Sequence, residues 1–288
     1  MDKDKDNQVI GMYEAYPYPT FGNHNDYAGT FLIPAIRSKA IKGRALEVGC
    51  GTGCVTVDWA EQCPELEILA FDRSQNSIRY ARDLKVSREV ANLTFEQRDL
   101  NEDNPDLKGF DFVYCHGVLH HLHDIQAGLN KLFNFVRPGG YCYLWTYASL
   151  GRRELHDLRE MLTHLAIDAS HPDRLKLIED LIPAHFRPLV YGEEKTEQEK
   201  LINLHDVVYH PRDGDFRVEE LYGLVEQAGF NFIQIFEANG APWPAPSALA
   251  WSKTLIERCE HLPRRQQDTL LELFLKPAGI GFMIQRPE

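Results

Sequence analysis

Glu47-Val48-Gly49-Cys50-Gly51-Thr52-Gly53 is the stretch that decides the fold. Arg44–Val48 is a short apolar strand signal that runs into it, and Val55–Gln62 continues beyond it with helical character. Glycines at alternate positions let the backbone turn with positive φ and approach a ligand closely. The start of the following helix offers free N–H groups to an anionic group. Taken alone, the same glycines would also serve a tight strand-to-helix turn with nothing bound.

The downstream residues decide between these readings. Glu67–Phe71 reads as a strand ending at Asp72, which lies 19 residues after Gly53. Leu93–Gln97 is a third strand followed by Asp99, Phe110–Cys115 a fourth, and Tyr141–Tyr147 a fifth. Helical spacing separates them over Ser74–Leu84, with Ser74 a suitable N-cap, and over His123–Val136, which Arg137-Pro138-Gly139-Gly140 should stop. Strands alternating with helices imply βαβ units and a parallel sheet. Ligands in such sheets bind at the carboxyl ends of the strands. A carboxylate at the end of the second strand can accept from two ribose hydroxyls, and one after the third can accept from an adenine amino group. Each acid alone is as easily a turn residue or a cap. Their occurrence at successive strand ends argues for a shared ligand.

A dinucleotide fingerprint reads G-x-G-x-x-G. Counted from Gly49, the sixth position here is Cys54, and the pattern is G-x-G-x-G with Glu47 two residues ahead. An acid at that place can orient the loop or meet a cationic amine, which suits the amino-acid end of S-adenosylmethionine better than a pyrophosphate. The segment Glu47–Gly53, with Asp72, Asp99, Phe110–Cys115 and Arg137–Gly140, resembles the class I S-adenosylmethionine-dependent methyltransferases over roughly residues 40–150. Val118-Leu119-His120-His121-Leu122 is similar to the segment after strand four in many members.

The resemblance implies an α/β, doubly wound, Rossmann-like sheet of seven mostly parallel strands, the last antiparallel. Asn231–Phe236 and Ile280–Gln285 are the candidates for strands six and seven, although about 40 residues separate them where many members have a short hairpin. It further implies that Gly49, Gly51 and Gly53 line the methionine part, that Asp72 holds the ribose, and that Asp99 faces the adenine. Their neighbours Cys50, Arg73 and Leu100 belong to the same expected set, with Tyr18 from the N-terminal arm and His116 through its backbone. The arm Tyr13–Pro19 and the segment Asp206–Pro211 are similar to a bacterial subgroup of unknown substrate.

Composition narrows the remainder. Of 288 residues 43% are hydrophobic and 26% charged, a soluble globular mix. No apolar run approaches the roughly 18 residues that would span a bilayer. Met1–Asp6 lacks the apolar region of a secretory signal. The net charge of −12 disfavours a phosphate backbone as partner. Six cysteines without a CxxC pair fit a reducing cytoplasm.

Domain organisation is expected as a lid over residues 1–40, a cofactor core over 41–150, and a largely helical cap over 151–288 that returns the last two strands. Residues 1–10 are expected to fray, and Tyr16–Pro19 to be extended, because two X-Pro steps oppose a helix. The arm's Tyr13, Tyr16, Tyr18 and Phe21 either close over the cofactor or pack on the sheet edge. The charged stretch Glu193–Lys200 reads as a solvated face.

For chemistry, His121 is the first candidate base, weighed against plain packing of His120, His121 and His123. Those residues with His116 and Asp124 lack zinc spacing, so no metal is expected. Asp206, Tyr209 and His210 share a helical face that either enters the acceptor pocket or joins cap to core. The acceptor is expected to be a small molecule, with a protein next and tRNA lower. A cofactor-binding module without turnover, an NAD-dependent oxidoreductase, and an enzyme making a modified sulfonium are the rival readings.

Overall fold

The computed structural model describes residues 2–19, 32–191, 196–237 and 241–288; Phe21 and Glu193–Lys195 lie outside the described residues. Seven strands form one sheet: β1 (Gly43–Val48), β2 (Leu66–Asp72), β3 (Leu93–Gln97), β4 (Phe110–His116), β5 (Val136–Tyr147), β6 (Asn231–Phe236) and β7 (Gly279–Gln285). Their order is β3-β2-β1-β4-β5-β7-β6. β1 pairs in parallel with β2 and β4, β2 with β3, and β4 with β5, while β7 runs antiparallel to both β5 and β6. The order reverses between β1 and β4, which opens a crevice at the carboxyl ends of those strands.

β1 and β4 are buried on both faces along most of their length, as parallel strands covered by helices must be. Leu46, Val48, Val113 and Leu144 join one hydrophobic cluster. Ala45, Ile68, Phe112 and Tyr143 join a second, built around Trp59. Helices α3 (Cys54–Gln62) and α4 (Gln75–Ser87) cover the second side, and α5 (Ile125–Phe135) the first. Ser74 caps α4 by accepting from Ser77 N–H at 3.1 Å. Asp124 caps α5 by accepting from Ala127 N–H at 2.9 Å, so it acts as a cap. β5 begins earlier than expected, at Val136. The Pro138–Gly140 segment is absorbed as an irregularity in its pairing with β4 rather than ending the element ahead of the strand.

Two differences from expectation concern the ends of the chain. The first residues do not fray: α1 (Asp2–Ala15) is a helix packed on α4. Its repeat of charges carries little amphipathic signal, and tertiary contacts supply what the local pattern lacks. Val9 is buried, and the Asp6 carboxylate meets Arg212 at 2.5 Å. The Glu14 carboxylate caps α4 from outside, accepting from Gln75 N–H at 2.6 Å. A short second helix, α2 (Ile33–Ser38), places Ile33 and Ile36 in the core beside Trp59.

The second difference concerns the cap. Helices α6 (Arg153–His164), α7 (Arg174–Leu181), α8 (Arg187–Tyr191) and α9 (Glu197–Val207) share a hydrophobic cluster of their own, centred on Leu155, Leu158, Ile178, Val190 and Leu204. Helix α10 (Val218–Gln227) instead packs into the sheet's cluster. The residues between β6 and β7 hold α11 (Lys253–Glu260) and α12 (Arg264–Leu275). α12 is tied back to α10: the Tyr222 hydroxyl donates to Asp268 at 2.7 Å, and buried Glu272 pairs with Arg217 at 3.0 Å. The long connection therefore leaves the antiparallel pairing of β6 and β7 intact. Trp243 is buried in this cluster, and Trp251 packs edge-on against Phe274 at 5.0 Å. All six cysteines are buried and free.

Candidate functional site

The end of β1 delivers the glycine loop to the crevice. Gly49 and Gly51 both hold positive φ, +76° and +52°. A Cβ at Gly49 would collide with Val118 Cγ2, and one at Gly51 with the carbonyl oxygen of Tyr18. The glycines are thus demanded by neighbouring protein as well as by any ligand. The N-terminal arm reaches the loop directly: Thr52 N–H donates to the Tyr18 carbonyl at 3.2 Å, and Thr52 Oγ1 to that of Pro19 at 2.7 Å.

Asp72, at the end of β2, fastens the same loop. Its Oδ2 accepts Gly51 N–H at 2.9 Å and its Oδ1 accepts Ser74 N–H at 2.8 Å. Burial raises its pKa despite these bonds. Asp99, after β3, accepts Asn101 N–H at 2.8 Å and meets Arg73 at 3.2 Å. The Lys131 ammonium, from α5, donates to the carbonyls of Leu100, Asn101 and Glu102 at 2.7–2.9 Å and holds that loop in place. Glu47 is almost fully buried, burial pushes its pKa up to about 7, and its Oε2 has no hydrogen-bond partner among the described residues. A buried carboxylate oxygen left unpaired beside a cavity fits a cationic amine from a ligand.

One continuous cavity of about 460 Å³ joins these groups. Glu47, Gly49, Cys50, Gly51, Asp72, Arg73, Asp99, Leu100, His116, His121 and Tyr18 all line it. Gly53 does not: a Cβ there would crowd Ala81 and Phe95, so Gly53 lets α4 and β3 pack against the loop rather than facing the cavity.

Beyond His116 the wall changes. His116 stacks on Trp145 with centroids 4.7 Å apart, and burial lowers its pKa to about 4. The cavity continues past Trp145, Tyr147, Arg152, Asn203 and Asp206 to Pro188 and Leu189 of the cap. Tyr13 and Val9 of α1 close it from above, and the Tyr13 hydroxyl donates to Asp206 Oδ1 at 2.8 Å. Tyr16 stacks on His205 at 4.0 Å. The expected shared face does not form: α9 ends at Val207, Tyr209 and His210 lie beyond it and outside this lining, and Asp206 alone of the three lines the cavity while joining cap to arm.

His121 sits in a short turn after β4. Its Nδ1 lies 2.7 Å from the Arg212 carbonyl, so in the neutral ring Nδ1 carries the proton and Nε2 is the acceptor. Burial lowers its pKa to about 4, which keeps it neutral and makes it a weak base. His210 stacks on it at 3.6 Å, and His123 lies outside the cavity lining. Ligand atoms of His120, His121 and Asp213 gather within 4.8 Å of one another, a grouping that no spacing in the chain signals. Asp213 is already engaged by two guanidinium groups, Arg152 at 2.7 Å and Arg159. That positive charge opposes a bound cation.

A sequence model of the "Methyltransferase domain" family matches residues 46–142, which run from β1 into β5. Residues 46–142 therefore carry a methyltransferase domain, whose cofactor is S-adenosylmethionine. The chain is similar to an uncharacterized protein of Synechococcus sp., 28% identical over 285 residues that cover 92% of this chain and 68% of that protein. It is also similar to malonyl-[acyl-carrier protein] O-methyltransferase 2 of Ilyobacter polytropus, 27% identical over 53% of this chain and 58% of that one. Its fold matches that of PKMT2 from Rickettsia typhi in complex with AdoHcy, with a TM-score of 0.62, 15% identity, and coverage of 99% of this chain and 54% of that one. The chain therefore spans little more than half of the length of two of these three proteins. No helix among the described residues is long and apolar enough to cross a membrane.

The residues missed by sequence reasoning are those of the cavity's far wall, together with Lys131 behind the Asp99 loop. Trp145 and Tyr147 read only as strand aromatics, and no sequence signal singles out Arg152, Asn203 or Lys131. Nothing local marks them, because their partners lie tens of residues away.

Proposed function

We propose that this enzyme transfers a methyl group to a small-molecule acceptor enclosed between the sheet's carboxyl edge and the α6–α9 cap. The observation that carries this reading is the single cavity, continuous from the Glu47–Asp72–Asp99 cradle to the Asp206 wall and roofed by α1. S-adenosylmethionine supplies an activated methyl on a sulfonium. The chain's own residues then have to align and exclude water.

In this reading Glu47 meets the cofactor's ammonium, the backbone at Gly49–Gly51 lines its methionine end, and Asp72 accepts from the ribose hydroxyls. Asp99, with Arg73 and Leu100, borders the adenine. Tyr18 and Tyr13 close the mouth. His121 forms part of the acceptor wall, offering Nε2 as a hydrogen-bond acceptor rather than acting as a strong base. Buried free thiols support a reducing, cytoplasmic setting. Enclosure by α1 and the cap favours a small acceptor over a folded protein.

The test is calorimetry with S-adenosylhomocysteine and with NAD, followed by turnover of methyl-labelled S-adenosylmethionine with a fractionated cell extract. Binding of S-adenosylhomocysteine and label in the low-molecular-mass fraction are expected. Binding of NAD in its place would remove the reading. Label confined to protein would move the acceptor to that class.

A further inference from the structure

Resting on the reading that the cavity admits a small acceptor, we propose that this acceptor presents a carboxylate to Arg152 and is methylated on a carboxylate oxygen. Arg152 stands at the start of α6, is 1% exposed, and still lines the cavity. Its guanidinium lies over the Tyr147 ring, 3.5 Å from the centroid, which fixes its plane. Nη2 donates to Asp213 Oδ2 at 2.7 Å, and Arg159 donates to that same oxygen. Two guanidinium groups thus share one carboxylate. Nearby Arg212 is already taken by Asp6. The Nε–H of Arg152 is buried with no partner among the described residues. An unpaired buried donor on a cation that shares its carboxylate with a second guanidinium calls for an acceptor, and a planar guanidinium suits a carboxylate.

The other groups at this end are compatible. Asp206 is the second carboxylate there, with Oδ1 committed to the Tyr13 hydroxyl and its pKa pushed by burial up to about 6. An arriving anion raises it further, so that Asp206 takes up a proton and donates a hydrogen bond instead of repelling. The imidazoles of His121 and His210, lowered by burial to about 4 and about 2, are poor partners for stripping a proton from a hydroxyl or an ammonium. A carboxylate arrives already deprotonated near neutral pH. Its oxygen gives an electron pair to the methyl carbon while the carbon–sulfur bond breaks and leaves its pair on sulfur. The carboxylate's negative charge and the sulfonium's positive charge cancel, giving an ester and a thioether with no proton moved.

The test uses the unmodified protein, methyl-labelled S-adenosylmethionine and the small-molecule fraction of its own cells' extract, with the product then treated with alkali. A carboxyl ester releases its label as volatile methanol; label on nitrogen, carbon, sulfur or an ether oxygen stays behind. Most of the label is expected to become volatile. Alkali-stable label overturns the carboxylate while methyl transfer stands. Absence of label from every small molecule overturns the underlying reading instead. Arg152→Gln is expected to lower turnover at limiting acceptor by about tenfold or more, with S-adenosylhomocysteine affinity within about twofold, and Arg152→Lys to recover part of the loss. Unchanged turnover in Arg152→Gln overturns the role of Arg152.

Discussion

Replacing Asp72 with alanine tests the cradle more sharply than any other change, because Asp72 fastens the glycine loop and is also the proposed acceptor for the ribose hydroxyls. Its carboxylate holds Gly51 N–H and Ser74 N–H, both at under 3 Å. Hydrogen bonds to a charged group contribute about 1.5–3 kcal/mol each. Water entering the cavity re-satisfies part of what is lost, so a stability loss of about 2–4 kcal/mol is expected. For a chain of this size that corresponds to a fall in Tm of roughly 5–15 °C. The cofactor separately loses an acceptor for its ribose hydroxyls, worth about 1–3 kcal/mol, or about 5–150-fold in Kd. Thermal melts read the first effect, and calorimetry with S-adenosylhomocysteine at a temperature where the variant is folded reads the second. Asp72→Asn keeps one acceptor oxygen and should fall between. A lowered Tm with Kd unchanged within about twofold would refute the ribose assignment and leave Asp72 as a staple for the glycine loop.

Three further outcomes are expected. Folding raises the pKa of Glu47 from the ordinary carboxylate range to about 7, so the folded state binds the extra proton and loses stability as pH rises across that window. Glu47→Gln should therefore raise Tm at pH 8, with little gain at pH 4, while weakening S-adenosylhomocysteine binding; melts at the two pH values and a titration check both signs. Glu272→Ala removes a fully buried carboxylate that pairs with Arg217 and accepts Val218 N–H at 3.1 Å. It should cost about 1–3 kcal/mol in denaturant unfolding, chiefly from the Val218 N–H left without its acceptor, and an unchanged unfolding midpoint would contradict the pairing. Tyr13→Phe deletes the hydroxyl bond to Asp206 and should speed amide exchange over residues 2–15; identical exchange would show that α1 docks without it.

The sheet was legible because its signals are local. A glycine loop, an acid after each of two strands, and a cap at Ser74 all operate within a few residues of themselves. The order of strands six and seven followed only from resemblance, since about 40 residues intervene and the contacts that return the chain, Tyr222 to Asp268 and Arg217 to Glu272, connect distant positions. α1 was illegible for the reverse reason. Its sequence has neither a strong apolar stripe nor a cap signal, and it is held by Arg212, Asp206 and the start of α4, none visible from the N-terminus. At the candidate site the glycine loop and the acids after the second and third strands were legible as neighbours of one cavity. The acceptor side was read only through His121 and Asp206, because a buried Arg152 looks like any surface arginine until Asp213 and Tyr147 are placed around it.

The separate apolar nucleus of α6–α9 has an evolutionary consequence. Substitutions that reshape Leu189, Asn203 or Val207 disturb that nucleus and leave Trp59 and the strands beneath the glycine loop untouched. Selection can therefore reshape the far wall of the cavity while the cradle at the strand ends is inherited unchanged.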